Sequence, residues 1–484
     1  MSTTEGRQST DERPTTEAAP DVFTAAYLGQ GAVDGALTGA APDQLAAVPD
    51  GSHSRAPTVG TVALGGQVLT PQGPLRGWLT IEGGRIAAIT STKPRSARAL
   101  ATDGVILPGL IDLHGHPEFN VFAPWEPPRE YVNRYSWRAS DAYQVLIRGP
   151  QNKLLTTLPA GTELRYAEIR ALVGGVTAIQ GASGTTQGST ESLVRNVDGV
   201  VFGRKRARSV IDLPSATSRG ADDLRAIVTA IAHHEVDALY VHLAEGQRDN
   251  QRSIDEFTHL VGFGALTEAT VIIHGTALTR DQLGDAAAAG ASLVWSPQSN
   301  LRLYGETTRA SDALDVGLPM ALGADWLPSG SVSLLAEMKV ARQELANQGR
   351  ALAARDLVTM VTSGAAGIAG LADQLGSLEV GRPADVLVLA RCDPDPYESV
   401  CAAIPNDVEL VLIGGDLAYG RADWVRALAA TPDDPRLEPV LAWGRPMLLD
   451  TSYEGQPDDA PVPRLAQLRA ALTEQYPQVG PIWN

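Results

Sequence analysis

The chain has 484 residues, of which 44% are hydrophobic and 20% are charged, and it carries a formal net charge of −17 at pH 7. This length predicts a large domain together with a smaller one, because a single hydrophobic core rarely grows to this size. The negative charge argues against nucleic acid or an anionic membrane surface as the main partner, since both attract cationic proteins.

Three features of the sequence predict a cytoplasmic protein. The N-terminus is polar and acidic and lacks the apolar segment of a secretory signal. No apolar run approaches the roughly 18–20 residues that a membrane-spanning helix needs. The two cysteines, Cys392 and Cys401, have neither disulfide-framework nor zinc-knuckle spacing, so we expect free thiols in a reducing compartment.

The two ends of the chain differ in composition from its middle. Residues 1–57 carry too few large apolar side chains to offset the entropy of ordering, and they are predicted to be a disordered extension. Residues 58–108 and 376–448 are predicted to form short strands with glycine-containing turns, as in TVALGGQVLTPQG and GSLEVGRPADVLVLA. We therefore expect a small β-sandwich domain formed from both chain ends, with a C-terminal tail at residues 449–484.

The middle of the chain, residues 109–375, alternates between predicted strands and helices. GGVTAIQGAS, DALYVHLAEG, ATVIIHGTAL, ASLVWSPQSN and LPMALGADW are apolar strands, each of which runs into a polar end. Thr279 and Gln282 have the spacing of a capping box before an alanine-rich helix, and Gly290 is a candidate C-cap. Repeated strand–helix units predict an α/β fold of the (β/α)8 TIM-like barrel type. A doubly wound open sheet is the alternative, although the phosphate-binding glycine loop that usually accompanies it is missing.

Chemically versatile side chains gather at the carboxyl ends of these predicted strands, with one of them on the loop just beyond. They are His114, His116, His242, Glu245, His274 and Asp325. The strand ends converge on one face of a barrel, so we expect the six side chains to lie together. His114 and His116 are two residues apart and would point to the same side of a strand.

Three imidazoles and one carboxylate would suit Zn²⁺, with Fe²⁺, Co²⁺ or Mn²⁺ as other possibilities. Hydrolysis at such a metal also needs a group that moves protons, and Glu245 follows a strand that carries a candidate ligand. Taken singly, a histidine at a strand end is more often structural, and Asp325 could be a helix N-cap. The joint pattern favours a metal site, because independent structural accidents should not all fall on strand ends.

The motifs PGLIDLHGH, HLAEG, VIIHG, SPQSNLRLYG and LGAD, with GSLEVGRPADVLVL near the C-terminus, resemble the amidohydrolase superfamily. The similarity spans about residues 59–420 and is to the branch of cytosine, guanine and S-adenosylhomocysteine deaminases and triazine hydrolases. It implies that one divalent metal ion, usually zinc or iron, is held by four residues. These are His114, His116, His242 and Asp325. It further implies that Glu245 is the proton shuttle, that His274 hydrogen-bonds the water or the substrate, and that Asp325 accepts the water's proton.

The same resemblance implies hydrolysis of a C–N bond through attack of metal-bound hydroxide on an sp² carbon. Deamination of a cyclic amidine or related heterocycle is our first expectation. Cleavage of an amide bond in a modified peptide or another natural-product intermediate uses the same constellation and stays open. A non-catalytic scaffold with this fold would be expected to have lost ligands, whereas all the expected positions are filled here.

The segment after His116 is rich in aromatic residues, which predicts either a lid over a large apolar pocket or packing against the barrel or a subunit interface. Its aromatic residues are Phe119, Phe122, Trp125, Tyr131, Tyr135, Trp137 and Tyr143. Asn300, Arg302, Trp326 and Trp125 are the candidate substrate contacts. The expected partner is a small molecule or a short modified peptide, without nucleic acid or membrane, and a homodimer is the candidate oligomeric state.

Overall fold

The computed structural model describes residues 60–95, 97–182, 192–198, 201–202, 207–216, 218–452 and 463–483. The predicted disordered extension at residues 1–57 lies outside the described residues. Within the described ranges, the helices are too short or too polar for any of them to span a membrane.

Strands and helices both contribute to the described part of the chain. The strands are β1 (Val62–Thr70), β2 (Gly73–Glu82), β3 (Arg85–Thr90), β4 (Arg98–Pro108), β5 (Leu110–Asp112), β6 (Val176–Ile179), β7 (Arg195–Asn196), β8 (Ala207–Val210), β9 (Ala238–Leu243), β10 (Thr270–His274), β11 (Ser292–Trp295), β12 (Met320–Leu322), β13 (Val386–Leu389), β14 (Val408–Ile413), β15 (Asp416–Arg421), β16 (Leu437–Ala442) and β17 (Arg445–Asp450). The α-helices are α1 (Arg134–Arg138), α2 (Asp141–Tyr143), α3 (Gly149–Thr157), α4 (Thr162–Val173), α5 (Arg219–Ala232), α6 (Gln251–Gly262), α7 (Arg280–Ala288), α8 (Pro297–Tyr304), α9 (Ala310–Asp315), α10 (Leu334–Asn347), α11 (Ala354–Thr359), α12 (Ser363–Ile368), α13 (Pro396–Ala402), α14 (Ala422–Leu428) and α15 (Leu465–Gln475).

Strands from both ends of the chain form one nine-stranded sheet among the described residues, in the order β16-β17-β15-β14-β13-β4-β1-β2-β3. The two ends meet where β4 pairs in parallel with β1 on one side and antiparallel with β13 on the other. The β1–β2 hairpin closes at Thr70 and Gly73. Gly65 in this hairpin leaves room for the ring of Trp78, because a Cβ at Gly65 would come within 2.8 Å of it.

The middle of the chain supplies parallel strands separated by helices, so the protein has a mixed α/β fold. Strands β5, β6 and β7 form one parallel sheet, and β8 to β12 form another in sequence order. Every pairing in these two sheets is parallel. The predicted capping box before α7 is confirmed: Thr279 accepts from the Gln282 N–H, and the Gln282 side chain accepts from the Thr279 N–H.

Strand β5 is shorter than the sequence predicted, and this changes how the two histidines reach the interior. The strand ends at Asp112, so His114 and His116 lie beyond it and a short 3₁₀ turn begins at Pro117. The Asp112 carboxylate accepts the N–H of His114, and proline offers no N–H to a continuing strand. Local side-chain bonding therefore ends the strand before the HGH sequence.

Strands β5 and β12 approach each other at their carboxyl ends. The N–H of Asp325 donates to the carbonyl oxygen of His114 over 2.9 Å, and the N–H of Ala324 donates to the Asp112 carboxylate over 3.1 Å. These bonds bring together the segments that carry His114 and Asp325, although they come from opposite ends of the α/β region.

Candidate active site

The six predicted side chains lie together in the structure, and all six are buried. His242 lies within β9, and Glu245 follows two residues after that strand ends. His274 is the last residue of β10, and Asp325 lies three residues beyond β12. Parallel strands deliver these side chains to one end of the sheets, as the sequence pattern predicted.

The backbone turns sharply at three of these strand ends. Ala244, His274 and Asp325 have φ values of 52°, 68° and 59°, in the left-handed region that non-glycine residues rarely adopt. Such conformations cost of order 1–3 kcal/mol each and persist only where the surroundings enforce them. The surrounding hydrogen bonds and packing therefore offset this cost. The resulting backbone conformation sets the directions of the His274 and Asp325 side chains.

The donor atoms lie close enough together to bind a metal ion. Three groups of residues have ligand atoms that all lie within 4.8 Å of one another. They are His114 with His116 and His242, His114 with His274 and Asp325, and His242 with Glu245 and His274. Nε2 of His114 lies 3.2 Å from Oδ1 of Asp325. Proximity alone thus permits more than one set of ligands.

The protonation states of these residues also suit a metal ion. Burial lowers the pKa of His116 to about 3 and that of His242 well below its ordinary value, which leaves both imidazoles neutral. Burial alone would raise the pKa of Asp325, but the neighbouring histidines outweigh it and hold this pKa below its ordinary value. Nδ1 of the buried His114 has no hydrogen-bond partner among the described residues. Neutral nitrogens beside an ionised carboxylate fit Zn²⁺ or Fe²⁺.

Glu245 lies at the edge of this cluster, with its two carboxyl oxygens in different surroundings. Oε1 accepts a short hydrogen bond from the hydroxyl of Tyr304, which itself accepts the indole N–H of Trp137 over 2.9 Å. Oε2 lies 3.7 Å from Nε2 of His274. Burial raises the pKa of Glu245 to about 7, although the charge of Arg134 and the Tyr304 hydrogen bond act in the opposite direction. A carboxyl group with this pKa can both take up and release a proton near neutrality.

Arg134 belongs to a buried ion-pair network that supports the loop after β9. Its Nε donates to Asp212 and its Nη1 donates to Glu256, both over 2.9 Å. Glu256 also accepts the N–H of Ala244 over 2.7 Å, and the N–H of Arg134 donates to the carbonyl oxygen of Glu245. The network therefore holds the backbone on both sides of Glu245. No sequence motif pointed to it, because its members lie far apart in the chain.

A cavity opens directly above the cluster, and its walls are largely aromatic. Its lining residues are His116, Phe119, Arg134, Trp137, Arg138, Tyr143, Ile211, His242, Glu245, His274, Asp325 and Trp326. The rings of Trp137 and Trp326 stack, with centroids 5.2 Å apart and planes 28° apart, and Phe119 meets Trp326 edge-on. The walls thus offer flat apolar surfaces beside a polar floor, an arrangement suited to a small ligand.

The aromatic residues of the segment after His116 do not all face the cavity. Phe119, Trp137 and Tyr143 line the cavity, which is the lid-like role. Phe122 instead packs against Tyr476 near the C-terminus. One segment therefore shapes the cavity and also anchors itself to the rest of the protein.

The four candidate substrate contacts have different positions. Trp326 lines the cavity. Asn300 is fully buried, and its Nδ2 lies 3.0 Å from Nδ1 of His274. Trp125 lies in the hydrophobic core, and Arg302 donates to the Pro328 carbonyl and lines a separate open cavity. Substrate contact by Trp125 and Arg302 stays a prediction, and the structure does not bring either of them to the cavity above the cluster.

Sequence reasoning missed Tyr304, although one signal for it was present. Tyr304 lies four residues after Asn300, a spacing that places two side chains on the same face of a helix. Helix α8 carries both residues. Once Asn300 was assigned to the site, this spacing could have indicated Tyr304 as well.

Residues 105–418 match the Amidohydrolase family, so the chain belongs to that family. A 5-methylthioadenosine/S-adenosylhomocysteine deaminase from Teredinibacter turnerae is 27% identical over 333 residues, which cover 60% of this chain and 73% of the relative. A guanine deaminase from Rattus norvegicus is 23% identical over 397 residues, which cover 73% of this chain and 85% of the relative.

Solved structures share this fold. An adenosine deaminase from Xanthomonas campestris with bound zinc has a TM-score of 0.61 at 15% identity, over 87% of this chain and 99% of its own. The atrazine chlorohydrolase from Arthrobacter aurescens TC1, complexed with zinc, has a TM-score of 0.59 at 18% identity, over 86% of this chain and 99% of its own.

Proposed function

We propose that this protein is a metal-dependent hydrolase that cleaves a C–N bond of a cyclic amidine or related heterocycle and releases ammonia. The observation that carries the proposal is the position of Glu245. Its carboxyl group lies beside the histidine–aspartate cluster, under an aromatic-walled cavity that suits a flat heterocycle. The named activities of the two deaminase relatives support the same reaction.

The proposed metal site contains one divalent ion, with zinc as the first candidate and iron as the second. The proposed ligands are His114, His116, His242 and Asp325, whose neutral nitrogens and ionised carboxylate fit such an ion. When bound, the ion supplies Lewis acidity, which makes water a competent nucleophile near neutral pH.

The residues of the chain then handle the protons and the geometry. In the proposed reaction, water adds to the sp² carbon and one of its protons passes to Glu245. Glu245 delivers this proton from Oε2 to the ring nitrogen, and the remaining hydroxyl proton passes through Asp325 to the amino group. The C–N bond then breaks, ammonia leaves, and the carbon keeps a carbonyl oxygen. His274 donates a hydrogen bond to the reacting water or the substrate. The rings of Trp137 and Trp326 hold the heterocycle and exclude bulk water.

We also propose that β5 to β12 close into a (β/α)8 barrel. The hydrogen bonds between the ends of β5 and β12 support closure on one side. One buried cluster supports it further, because it contains Ile111, Ala178, Tyr240, Val294 and Ala321 from strands spread around the proposed barrel. In this proposal residues 109–375 form the hydrolase barrel, and residues 58–108 and 376–448 form the second domain.

The proposal is tested by loading the purified full-length protein with Zn²⁺ and offering it amino-substituted purines, pyrimidines and triazines. Ammonia release and the mass of the product are measured. Glu245→Gln is expected to retain zinc while turnover falls roughly 10²–10⁴-fold, because the variant cannot transfer the proton. The matched control is Glu268→Gln, which changes an exposed glutamate before β10.

Three results would contradict parts of this proposal. Near-normal turnover by Glu245→Gln would remove Glu245 as the proton shuttle. A new carboxylate with a larger amine, in place of ammonia, would indicate amide cleavage. A protein that binds no divalent metal and turns over none of these compounds would not be the proposed enzyme.

A further inference from the structure

A chain of hydrogen bonds inside the protein ends on the ring of His274. The indole Nε1 of Trp295 lies 2.8 Å from the hydroxyl oxygen of Thr307, and that hydroxyl lies 3.3 Å from Oδ1 of Asn300. The amide Nδ2 of Asn300 lies 3.0 Å from Nδ1 of His274. All four side chains are buried, so they depend on one another rather than on solvent.

The direction of each bond in this chain follows from donor and acceptor chemistry. An indole N–H can only donate, so the Thr307 hydroxyl accepts from Trp295. The hydroxyl proton is then free to donate to the carbonyl oxygen of Asn300. With that oxygen turned toward Thr307, the amide NH2 faces His274, and it can donate only to a ring nitrogen that carries a lone pair. Nδ1 of His274 is therefore an acceptor, and the ring proton lies on Nε2.

The opposite orientation of the Asn300 amide leaves a buried group without a partner. It would turn the NH2 toward the Thr307 hydroxyl, which would then accept from both Asn300 and Trp295. The hydroxyl proton would have no acceptor among the described residues, since Asn300 Oδ1 is the one that it contacts. Buried polar groups in folded proteins are nearly always paired, so the first orientation is favoured.

The backbone of His274 is held by the same part of the chain. The hydroxyl of Thr308 donates to the carbonyl oxygen of His274, while the neighbouring Thr307 supports the ring through Asn300. This backbone bond forms at the residue whose φ is 68°. Segment 295–308 thus fixes both the position of His274 and the orientation of its ring.

We propose that Trp295, Thr307 and Asn300 are positioning residues that lock His274 as its Nε2–H tautomer. His274 then presents a hydrogen-bond donor to the cavity and cannot use Nε2 as a metal ligand. This inference rests on the proposed function in one respect: the donor would bind an oxygen or nitrogen lone pair of the reacting water or heterocycle. It also assigns Asn300 to His274 rather than to substrate.

Nitrogen-15 NMR of the zinc-loaded full-length protein, labelled at histidine, tests the tautomer directly. The His274 signals are identified by their loss in His274→Gln. In the wild type we expect a non-protonated Nδ1 and a protonated Nε2. Asn300→Asp replaces the donor with an acceptor and is expected to move the proton to Nδ1. Thr307→Val and Trp295→Phe are expected to mix the two tautomers, whereas Thr229→Val, an exposed control, should leave the spectrum unchanged.

Activity provides a second readout. Thr307→Val is expected to lower kcat roughly 10- to 100-fold with little change in KM or in zinc content, as for other residues that orient an active group. The proposal is overturned if wild-type His274 carries its proton on Nδ1, if Nε2 shows the shift of a metal-bound nitrogen, or if Asn300→Asp leaves the tautomer unchanged. Should the tautomer be as expected while no heterocycle is hydrolysed, the proposed function fails and the tautomer assignment holds.

Discussion

Tyr304 distinguishes the two oxygens of the Glu245 carboxyl group. Its hydroxyl accepts the N–H of Trp137, so its own proton is directed to Oε1 of Glu245. Oε2 is left facing His274 at 3.7 Å. Oε2 is therefore the oxygen expected to receive and deliver protons. Trp137 both lines the cavity and donates to Tyr304, so it links the cavity wall to Glu245.

We predict that Tyr304→Phe lowers kcat roughly tenfold or more with a smaller change in KM. The variant keeps the ring but loses a hydrogen bond to a charged group, worth about 1.5–3 kcal/mol. Steady-state kinetics with the best substrate of the screen measure the effect. Tyr397→Phe, which changes a tyrosine on α13, is the control. An unchanged kcat in Tyr304→Phe would show that this bond does not orient Glu245.

At the scale of secondary-structure elements, a buried carboxyl group links helix α4 to the segment before β7. Glu168 on α4 accepts the N–H of Leu193 over 3.1 Å and is almost fully buried. Burial raises its pKa to about 8, although the charge of Arg165 partly opposes this. The folded protein therefore binds a proton at Glu168 more tightly than the unfolded chain does.

This raised pKa predicts a loss of stability as the pH rises. The tighter binding of this proton stabilises the folded protein. Its contribution to the free energy of unfolding is fully present below pH 4.5, the pKa in the unfolded chain, and is lost as the pH rises toward about 8, the pKa in the folded protein. Glu168→Gln resembles the protonated form and should not lose stability in this way. The free energy of unfolding of both proteins is measured by urea unfolding at pH 5.5 and at pH 8.5. Relative to the wild type, we expect the variant to be more stable at pH 8.5 than it is at pH 5.5. An equal difference at both pH values would contradict the prediction.

The sequence predicted those parts of the site that depend on local pattern. The ends of β9 and β10 and the capping box of Thr279 depend on neighbouring residues, so periodicity and spacing were enough to find them. The bonds from Tyr304 to Glu245 and from Asn300 to His274 join different elements, and no spacing rule specifies which side chain meets which. The strand before His114 was predicted to be longer than it is. The Asp112 carboxylate ends it by accepting the backbone N–H of His114, which a longer strand would use for pairing.

At the scale of the whole molecule, a buried ion pair joins the parallel strands to the nine-stranded sheet. Nε of Arg195, in β7, lies 2.6 Å from Oδ2 of Asp385, which precedes β13. The other oxygen of Asp385 accepts the N–H of Gly414 over 2.7 Å. Removal of one charge from such a pair leaves the other buried and uncompensated.

We predict that Arg195→Met destabilises the folded protein by about 3–5 kcal/mol, because the Asp385 carboxylate then lacks its counter-ion. The double variant Arg195→Met/Asp385→Asn should recover part of this loss, since the amide oxygen can still accept from Gly414. Chemical unfolding of the wild type, both single variants and the double variant measures the coupling. Additive losses would show that the two side chains do not act as a pair.

The pairing of β4 with β13 has a consequence for the order in which the protein can be assembled. These neighbouring strands are separated by more than half of the chain. Their pairing brings together the two ends of the intervening segment, which contains the candidate active site. Contacts of such high sequence separation form late and slow the overall rate of folding. During synthesis, β1 to β4 leave the ribosome long before β13. The edge of β4 that pairs with β13 therefore stays unpaired until β13 emerges. The catalytic region can therefore begin to fold before its supporting sheet is complete, and the exposed edge of β4 is where aggregation of the nascent chain is expected to begin.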